Sequence, residues 1–396
     1  MNNDVTQVFQ RMLSKYWYDL ILLMHSLIYP VKQLKKKGSD YKNLVERHRI
    51  QTENRDRFIN VLRKRGIETK LVDRFGYSHE AISWADVVFT AGGDGTYLMA
   101  AAKINDRNLP LIGINTDPSQ SVGHLCIPSK YLNNIDTAVD KLVSGDFKWK
   151  YRQRIRVTIL GEEELEEPFS IHDQMLGKVC PEYRFLELDE GCGRSRTNSC
   201  ETDPKTSPNV SSKRQVIPIR ALNEVFIGES LSSRVSYCEV GLNGDPALKV
   251  KSSGMTICTG TGSTSWSFNI NKLTPSCVES LMNIINEESG VQLASSDQEL
   301  VKRVTDRFND SLVFDPSMKK MAYTVRDPIV FRTGYNGNPR GFAEKISVKS
   351  RMFDASIVLD GGLSYKFNDG SQAVFEILEE DALKTIDMDH CCQQVL

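Results

Sequence analysis

The stretch "ADVVFTAGGDGTYLMAAAKI", residues 85–104, sets one carboxylate, Asp94, among Gly92, Gly93 and Gly95 at the end of an apolar run. The glycines permit positive φ and leave no Cβ in the way of a ligand. The first amides of the helix that follows, beginning near Thr96, carry partial positive charge, so an anion can rest on this turn. An acid inside such a nest weakens the binding of a polyanion by like-charge repulsion, which suits Asp94 to another task. Beside a phosphate chain it can accept the proton of an attacking hydroxyl, orient that hydroxyl in line, or hold a bridging Mg²⁺. The plain alternative is a helix cap, a place Asp favours. The turn matches neither GxxxxGK[ST] nor GxGxxG.

Two further constellations carry polar groups suited to a nucleoside. In "RALNEVFIGES", Asn223 and Glu224 open an expected strand. The amide donates and accepts, and the carboxylate accepts from ribose hydroxyls or an exocyclic amine. An isolated Asn-Glu pair at a strand mouth can equally face water. In "SSGMTICTGTGSTSWSFNI" a strand runs into Thr259-Gly260-Thr261-Gly262-Ser263-Thr264-Ser265-Trp266. Here glycines let backbone approach a ligand, hydroxyls offer hydrogen bonds, and the indole of Trp266 offers a face to a base, or else a core contact after a helix cap. Asp360-Gly361-Gly362 and Asn368-Asp369-Gly370 fall at strand ends, where turn formation alone accounts for them.

These residues need a scaffold, and 396 residues, 40% hydrophobic and 26% charged, supply one of about two domains. Fifty basic residues against 51 acidic ones give a formal charge of −1, so no global field draws the chain to nucleic acid or anionic lipid, and an anionic ligand must be held locally. The run "LILLMHSLIYPV" (20–31) is too short to span a bilayer and reads as a buried strand with its turn. Nine cysteines without CxxC spacing read as thiols of a reducing compartment. Cys180, Cys192, Cys200 and His172 lack a close ligand pair, so no metal site is expected. Residues 1–17 have a helical period that faintly resembles a transit peptide, with Asp4 and few arginines arguing for an ordinary amphipathic helix.

From 40 to 150, helical and strand periods alternate, which predicts a parallel sheet flanked by helices. Helix closes at Gly66, "IETKLV" is a strand, Ser78 caps "SHEAISW", and "ADVVFTA" and "LPLIGIN" are buried strands. Beyond about 150, short β-like runs such as "RIRVTIL", "MTICT" and "KISVKS" predict a mainly antiparallel β domain, with helices inserted within 274–310. Residues 187–215 lack any apolar period and read as a mobile insertion. The expected organisation is therefore an α/β nucleotide-binding domain over 1–150, a β domain over 151–365, and a segment 366–396 returning to the first domain.

Taken together and in order, "GGDGT", "LNEVFIGES", "TGTGSTSW" and "VLDGG" resemble the motifs of the NAD kinases. "NTDPSQSVGHLCIP" and "SSGMTICTGTGSTSWSFNIN" are most similar to the mitochondrial type found in animals. The resemblance runs from about residue 40 to about 385. It implies ATP-dependent phosphorylation of the adenosine ribose 2′-hydroxyl of NAD, with Mg²⁺ accompanying ATP. It also implies a homodimer, a mitochondrial matrix location with the cytoplasm as alternative, and no membrane or nucleic-acid partner. On this resemblance Asp94 is the general base or hydroxyl-orienting acid, and Gly92, Gly93, Gly95 and Thr96 surround phosphates. Asn115, Asn223, Glu224, Thr261, Gly262, Ser263, Thr264, Ser265, Trp266 and Asp360 line the nucleotide sites. Gly260 and Trp266 stand where the common family loop has proline and tyrosine, and Ser253 stands where many members have aspartate. Two rivals remain at this level: a lipid kinase of the diacylglycerol or sphingosine type, which shares GGDGT, and a non-catalytic NAD(P)-binding module in which Asp94 only caps a helix.

Overall fold

The structure, a computed structural model, describes residues 19–24, 40–74, 76–161, 165–171, 213–330 and 337–389. The chain divides into two units. Unit 1 comprises Met1–Arg154 with Leu378–Leu396, and unit 2 comprises Ile155–Ile377.

Unit 1 alternates strand and helix: β1 (Asp19–Met24), α1 (Tyr41–Lys64), β2 (Glu68–Asp73), α2 (His79–Trp84), β3 (Val87–Ala91), α3 (Asp94–Ala101), β4 (Leu111–Ile114), α4 (Lys130–Asn133), α5 (Ile135–Ser144) and β5 (Lys148–Arg152). Local chemistry sets the boundaries. The Asp40 carboxylate accepts from the Asn43 amide at the head of α1, Ser78 does the same for Ala81 in α2, and Gly66 leaves α1 with a φ of 75°. Strands β2-β1-β3-β4 lie in that order with every pairing parallel. The order reverses direction between β1 and β3, and in open α/β sheets ligands bind beyond the carboxyl ends of strands at such a switch point. The Gly92–Asp94 turn is the carboxyl end of β3. Helices α1 and α5 bury apolar stripes at helical spacing, Phe58, Ile59 and Leu62 from one and Ile135, Ala138, Val139 and Leu142 from the other, with Phe89, Ile112 and Ile114 of the sheet.

Unit 2 is built from β6 (Ile155–Gly161), β7 (Phe169–Ser170), β8 (Lys213–Val216), β9 (Glu224–Glu229), β10 (Ser236–Leu242), β11 (Leu248–Ser252), β12 (Met255–Cys258), α6 (Trp266–Asn271), α7 (Pro275–Ser289), α8 (Gln298–Asp310), β13 (Met321–Val325), β14 (Arg340–Ala343), β15 (Lys345–Ser350), β16 (Ala355–Leu359), β17 (Leu363–Lys366) and β18 (Gln372–Ile377). They form two antiparallel sheets, β11-β10-β15-β18-β6-β8 and β14-β13-β12-β9-β16-β17-β7. Period-two burial, seen in Ile346, Val348 and Ser350 of β15, turns alternate side chains inward. Both sheets contribute to one core that includes Val157, Val225, Ile257, Ile346, Ile357 and Phe375. The inserted α7 and α8 pack on each other through Val278, Met282 and Val301.

The chain returns to unit 1 with one 3₁₀ turn, Glu379–Asp381, and β19 (Leu383–Asp387), which pairs antiparallel with β5. Met388 then completes the core of unit 1.

One expected boundary needs correcting. Residues 213–215, assigned above to the insertion 187–215, belong to β8 and pair with β6 through Lys213↔Gly161 to Gln215↔Ile159. The polar "KRQ" has no apolar period because this strand lies at the sheet edge. The rest of that insertion, the helix expected over 1–17 and the four candidate zinc ligands lie outside the described residues. Within them Cys126, Cys238, Cys258 and Cys277 are free thiols, and no helix is long and apolar enough to cross a membrane.

Met388 is only 4% exposed although it lies at the far end of the chain. Met388→Ala is expected to cost about 2–5 kcal/mol, the range for a buried methionine. Denaturant unfolding checks this, and a loss under about 0.5 kcal/mol would mean that the C-terminal segment does not complete this core.

Candidate functional site

Two polar clusters occupy the positions that the motifs single out, one in each unit. In unit 1, Gly93 is the N-cap of α3 and offers no side chain, and Asp94 is the first helical residue. Its carboxylate reaches to the turn after β4: Oδ2 accepts from the His124 amide at 3.1 Å and Oδ1 from the Leu125 amide at 2.9 Å. The helix-cap reading of Asp94 is thereby replaced, because its oxygens are fixed on another segment. Each oxygen accepts one amide and keeps a further lone pair for another donor.

The turn that supplies these amides is itself braced. Asn115, buried at the end of β4, donates through Nδ2 to the Ser121 carbonyl at 2.7 Å and accepts through Oδ1 from the Asp117 amide at 3.1 Å. Asn54 of α1 donates to the Thr116 carbonyl, and Arg47 of α1 donates to Gln120. Asn115 thus shapes the loop that holds Asp94.

The glycines differ in what they do. None of Gly92, Gly93 and Gly95 has positive φ, so the conformational reason given above is corrected to a spatial one. A Cβ on Gly92 would lie 2.4 Å from the hydroxyl of buried Thr96, and one on Gly93 would lie 3.0 Å from that of Ser121, whereas Gly95 opens on empty space. Close packing of α3 on its own turn explains Gly92, the approach of the turn after β4 explains Gly93, and Gly95 leaves the surface clear. Cys126, whose thiol faces the Gly92 carbonyl at 3.7 Å, is pushed up to about 12 by burial and by the nearby Asp94 charge, which makes it a poor nucleophile.

In unit 2, the mouth of β9 is clamped by Asp360. This residue sits in the β16–β17 turn with a φ of 48°. Its Oδ1 accepts from the amides of Asn223 (2.8 Å) and Glu224 (3.1 Å), its Oδ2 accepts from that of Leu222 (2.8 Å), and its own amide donates to the Glu224 carbonyl (3.0 Å). Its carboxylate thus secures the backbone that presents Asn223 and Glu224. Asn223 Nδ2 donates to Ser265 Oγ at 3.3 Å. Asn223 Oδ1 and Glu224 Oε2 are buried acceptors with no hydrogen-bond partner in the protein. Such atoms are rare and costly unless a ligand or water supplies the donor.

The Thr259–Trp266 loop packs against the same strand mouth. Thr259 Oγ1 donates to the Leu222 carbonyl at 2.5 Å and accepts from the Gly262 amide at 3.2 Å. A Cβ on Gly262 would lie 2.1 Å from the Asn223 carbonyl, and one on Gly260 would lie 2.2 Å from the Asp315 carbonyl. These glycines admit the close approach of the protein's own backbone. Ser263, also read as a ligand contact, donates to the Gly260 carbonyl and accepts from the Phe314 amide. Buried Thr261 accepts through its carbonyl from the Thr264 hydroxyl. Trp266 is 40% exposed, with its ring centroid 5.5 Å from that of Phe226 and with the Arg326 guanidinium 5.5 Å from the ring.

Sequence reasoning missed the His124 and Leu125 amides, because main-chain donors leave no residue-type signal. It also missed Arg154, which sits in a polar alternating run that reads as an ordinary strand edge.

The ATP-NAD kinase N-terminal domain model matches residues 29–147. The mitochondrial NAD kinase 2 of Homo sapiens is 43% identical over 350 residues, covering 88% of this chain and 76% of that protein. Its counterpart in Rattus norvegicus is 44% identical over 351 residues, covering 88% and 79%. Among solved structures, an NAD kinase from Archaeoglobus fulgidus in complex with ATP superposes with a TM-score of 0.50 at 16% identity, covering 94% of each chain. A yeast NADH kinase complexed with NADH gives 0.54 at 12%, covering 94% of this chain and 84% of that one. At these identities the two structures show a shared fold.

Burial first, and then the Asp360 charge, push the Glu224 carboxyl up from 4.5 to about 8. The folded protein therefore holds a proton that the unfolded chain releases, so this residue's contribution to stability falls as pH rises from 4.5 through about 8 and levels off above. The slope approaches about 1.4 kcal/mol per pH unit within that window. Thermal melts of ligand-free protein between pH 6 and pH 9 should show wild type losing stability relative to Glu224→Gln. Parallel profiles would mean that Glu224 does not titrate in this window.

Proposed function

The chain belongs to the NAD kinase family, and we propose that it transfers the terminal phosphoryl group of ATP to the adenosine ribose 2′-hydroxyl of NAD, giving NADP and ADP. The observation that carries the mechanism is the pair of amides holding the Asp94 carboxylate. Fixed on His124 and Leu125, both oxygens keep one orientation and retain further lone pairs, and the neighbouring Gly95 leaves its side of the turn open. The 2′-hydroxyl gives its proton to Asp94 as its oxygen attacks the γ-phosphorus; the new O–P bond forms, the bond to the β-phosphate oxygen breaks, and ADP departs. Asp94 then returns the proton to solvent.

The second cluster supplies recognition. Asn223 Oδ1 and Glu224 Oε2 await donors, which the ribose hydroxyls and exocyclic amine of a dinucleotide provide. Glu224, held largely protonated below about pH 8 in the free protein, ionises more readily once such donors face it. Ser265 and Thr264 border this pair, and Trp266, with Phe226 beside it and Arg326 over its ring, offers an aromatic surface for a base.

Magnesium belongs to this reading as part of Mg-ATP. Among the described residues no group of three or more His, Cys, Asp or Glu side chains is placed to hold a metal ion. Mg²⁺ commonly rests on substrate phosphates with one or two carboxylates and several waters. When bound, the ion neutralises charge on the β- and γ-phosphates. A homodimer is part of the same reading, as the family resemblance implies. The names of the animal relatives support a mitochondrial location.

Purified protein supplied with NAD and Mg-ATP should form NADP, and Asp94→Asn should bind NAD while losing about a hundredfold or more in rate, the usual loss when a general base is removed. No turnover by folded wild type would sink the kinase reading. Full activity of Asp94→Asn would move the acid's role elsewhere.

A further inference from the structure

We infer that Arg154, which no motif marks, is a positioning residue for the phosphoryl-transfer reaction: it anchors the far end of the helix that begins with Asp94. The inference rests on the kinase reading above for its consequence and on geometry for its substance. Arg154 is 1% exposed, and it is the last residue of unit 1 before the chain passes into unit 2. Its Nη1 donates to the carbonyls of Ala101 (3.0 Å) and Ile104 (2.7 Å), and its Nε donates to the carbonyl of Asp381 (2.5 Å). Ala101 ends α3 and Ile104 lies three residues on, so the guanidinium caps the carbonyl end of this helix and ties it to the returning C-terminal segment. A second, exposed tie runs alongside, where Arg107 meets Glu379 at 3.1 Å and lies over the Tyr151 ring.

A cation at a helix carboxyl end opposes the negative pole there, and a planar fork of donors matches several carbonyls at once. Stability alone is a weak reason for such a group. Removing a guanidinium from water is costly, and an apolar side chain of similar length can often replace a buried charge without loss. What the apolar replacement cannot do is choose one position for three carbonyls. Helix α3 has eight residues, about 12 Å of rise, so a tilt at Ala101 is carried to Asp94 within two turns. There the carboxylate meets its two amides at 2.9 and 3.1 Å, a fit that a displacement of about 1 Å destroys.

The test is a double-mutant cycle in the full chain between Arg154→Met and Asp94→Asn, with Arg154→Lys as the conservative variant. Arg154→Met should lower kcat by about 10- to 100-fold, as small misplacements of reacting groups do, while KM for NAD changes less than about twofold. Arg154→Lys should recover part of the loss. In the Asp94→Asn background the Arg154 substitution should cost less than about twofold more, because the two act on one group. Independent, multiplying effects, or wild-type kcat in Arg154→Met, would overturn the assignment. If Arg154→Met does not fold, Arg154→Lys carries the cycle.

Hydrogen exchange separates this inference from the activity itself. Amides of residues 97–104 should exchange faster in the Arg154 variant than in wild type, with β9 and β12 unchanged, whether or not NADP is formed. Unchanged exchange in α3 would mean that Arg154 does not hold the helix. An inactive wild type would leave that readout standing and remove only the kinase reading.

Discussion

The structure depends on a carboxylate that is held by main-chain amides rather than by cations. Asp94 accepts from the amides of His124 and Leu125, and most of what surrounds it in unit 1 serves that pair of bonds. Asn115 fixes the turn from one side, Asn54 and Arg47 of α1 steady its loop, and Gly92 lets Thr96 and α3 sit close enough for the acid to reach across. A lysine or arginine in place of the amides would also fix the acid, but its full positive charge would compete for the phosphates. Amide dipoles give orientation with less of that penalty. A chain of formal charge −1 carries no global positive field, so local dipoles such as these have to do the work that a basic patch does elsewhere.

The cluster in unit 2 follows the opposite logic. There the polar atoms are left wanting: Asn223 Oδ1 and Glu224 Oε2 are buried without partners while the backbone beneath them is secured by Asp360 at three amides. Holding the main chain tightly and leaving the side-chain acceptors unmet concentrates the cost of the unliganded state at the atoms a dinucleotide would satisfy. The raised Glu224 carboxyl is the electrostatic sign of the same arrangement, since two acids share a buried strand mouth. Groups of this kind discriminate well, because an analogue lacking the matching donor leaves the site as unsatisfied as before.

Much of this was legible in residue order, and the exceptions have physical causes. Alternating helical and strand periods gave the parallel strands of unit 1, and caps such as Ser78 and the break at Gly66 marked helix ends, because these depend on local side-chain chemistry. The short β-like runs gave the antiparallel sheets of unit 2 for the same reason. Site residues were legible as types but less so as roles. Asp360, Ser263 and Gly262 read as ligand contacts because Asp, Ser and Gly are what both ligand loops and tight main-chain packing require. Only three-dimensional neighbours, the amides of 222–224, the Phe314 amide and the Asn223 carbonyl, separate the two uses. Arg154 was invisible because its partners are carbonyls 50 to 227 residues away.

The same distinction weighs on the rival readings. A binding module needs an acid at position 94 only as a cap, and the cap of α3 is Gly93 without any side-chain bond. An acid placed on an anion turn, denied to its own helix and clamped in one orientation by two amides, repels a phosphate chain, which a site built only to bind that chain would avoid. Its geometry makes sense where a proton must leave a hydroxyl beside that chain. A lipid kinase would also use such an acid, so the choice of acceptor falls to the other cluster. There, buried amide and carboxyl oxygens ask for several polar donors, which a nucleoside spreads over its ribose and base. A lipid acceptor gathers its few donors at one head group and fills the rest of the site with chain that leaves such acceptors unmet.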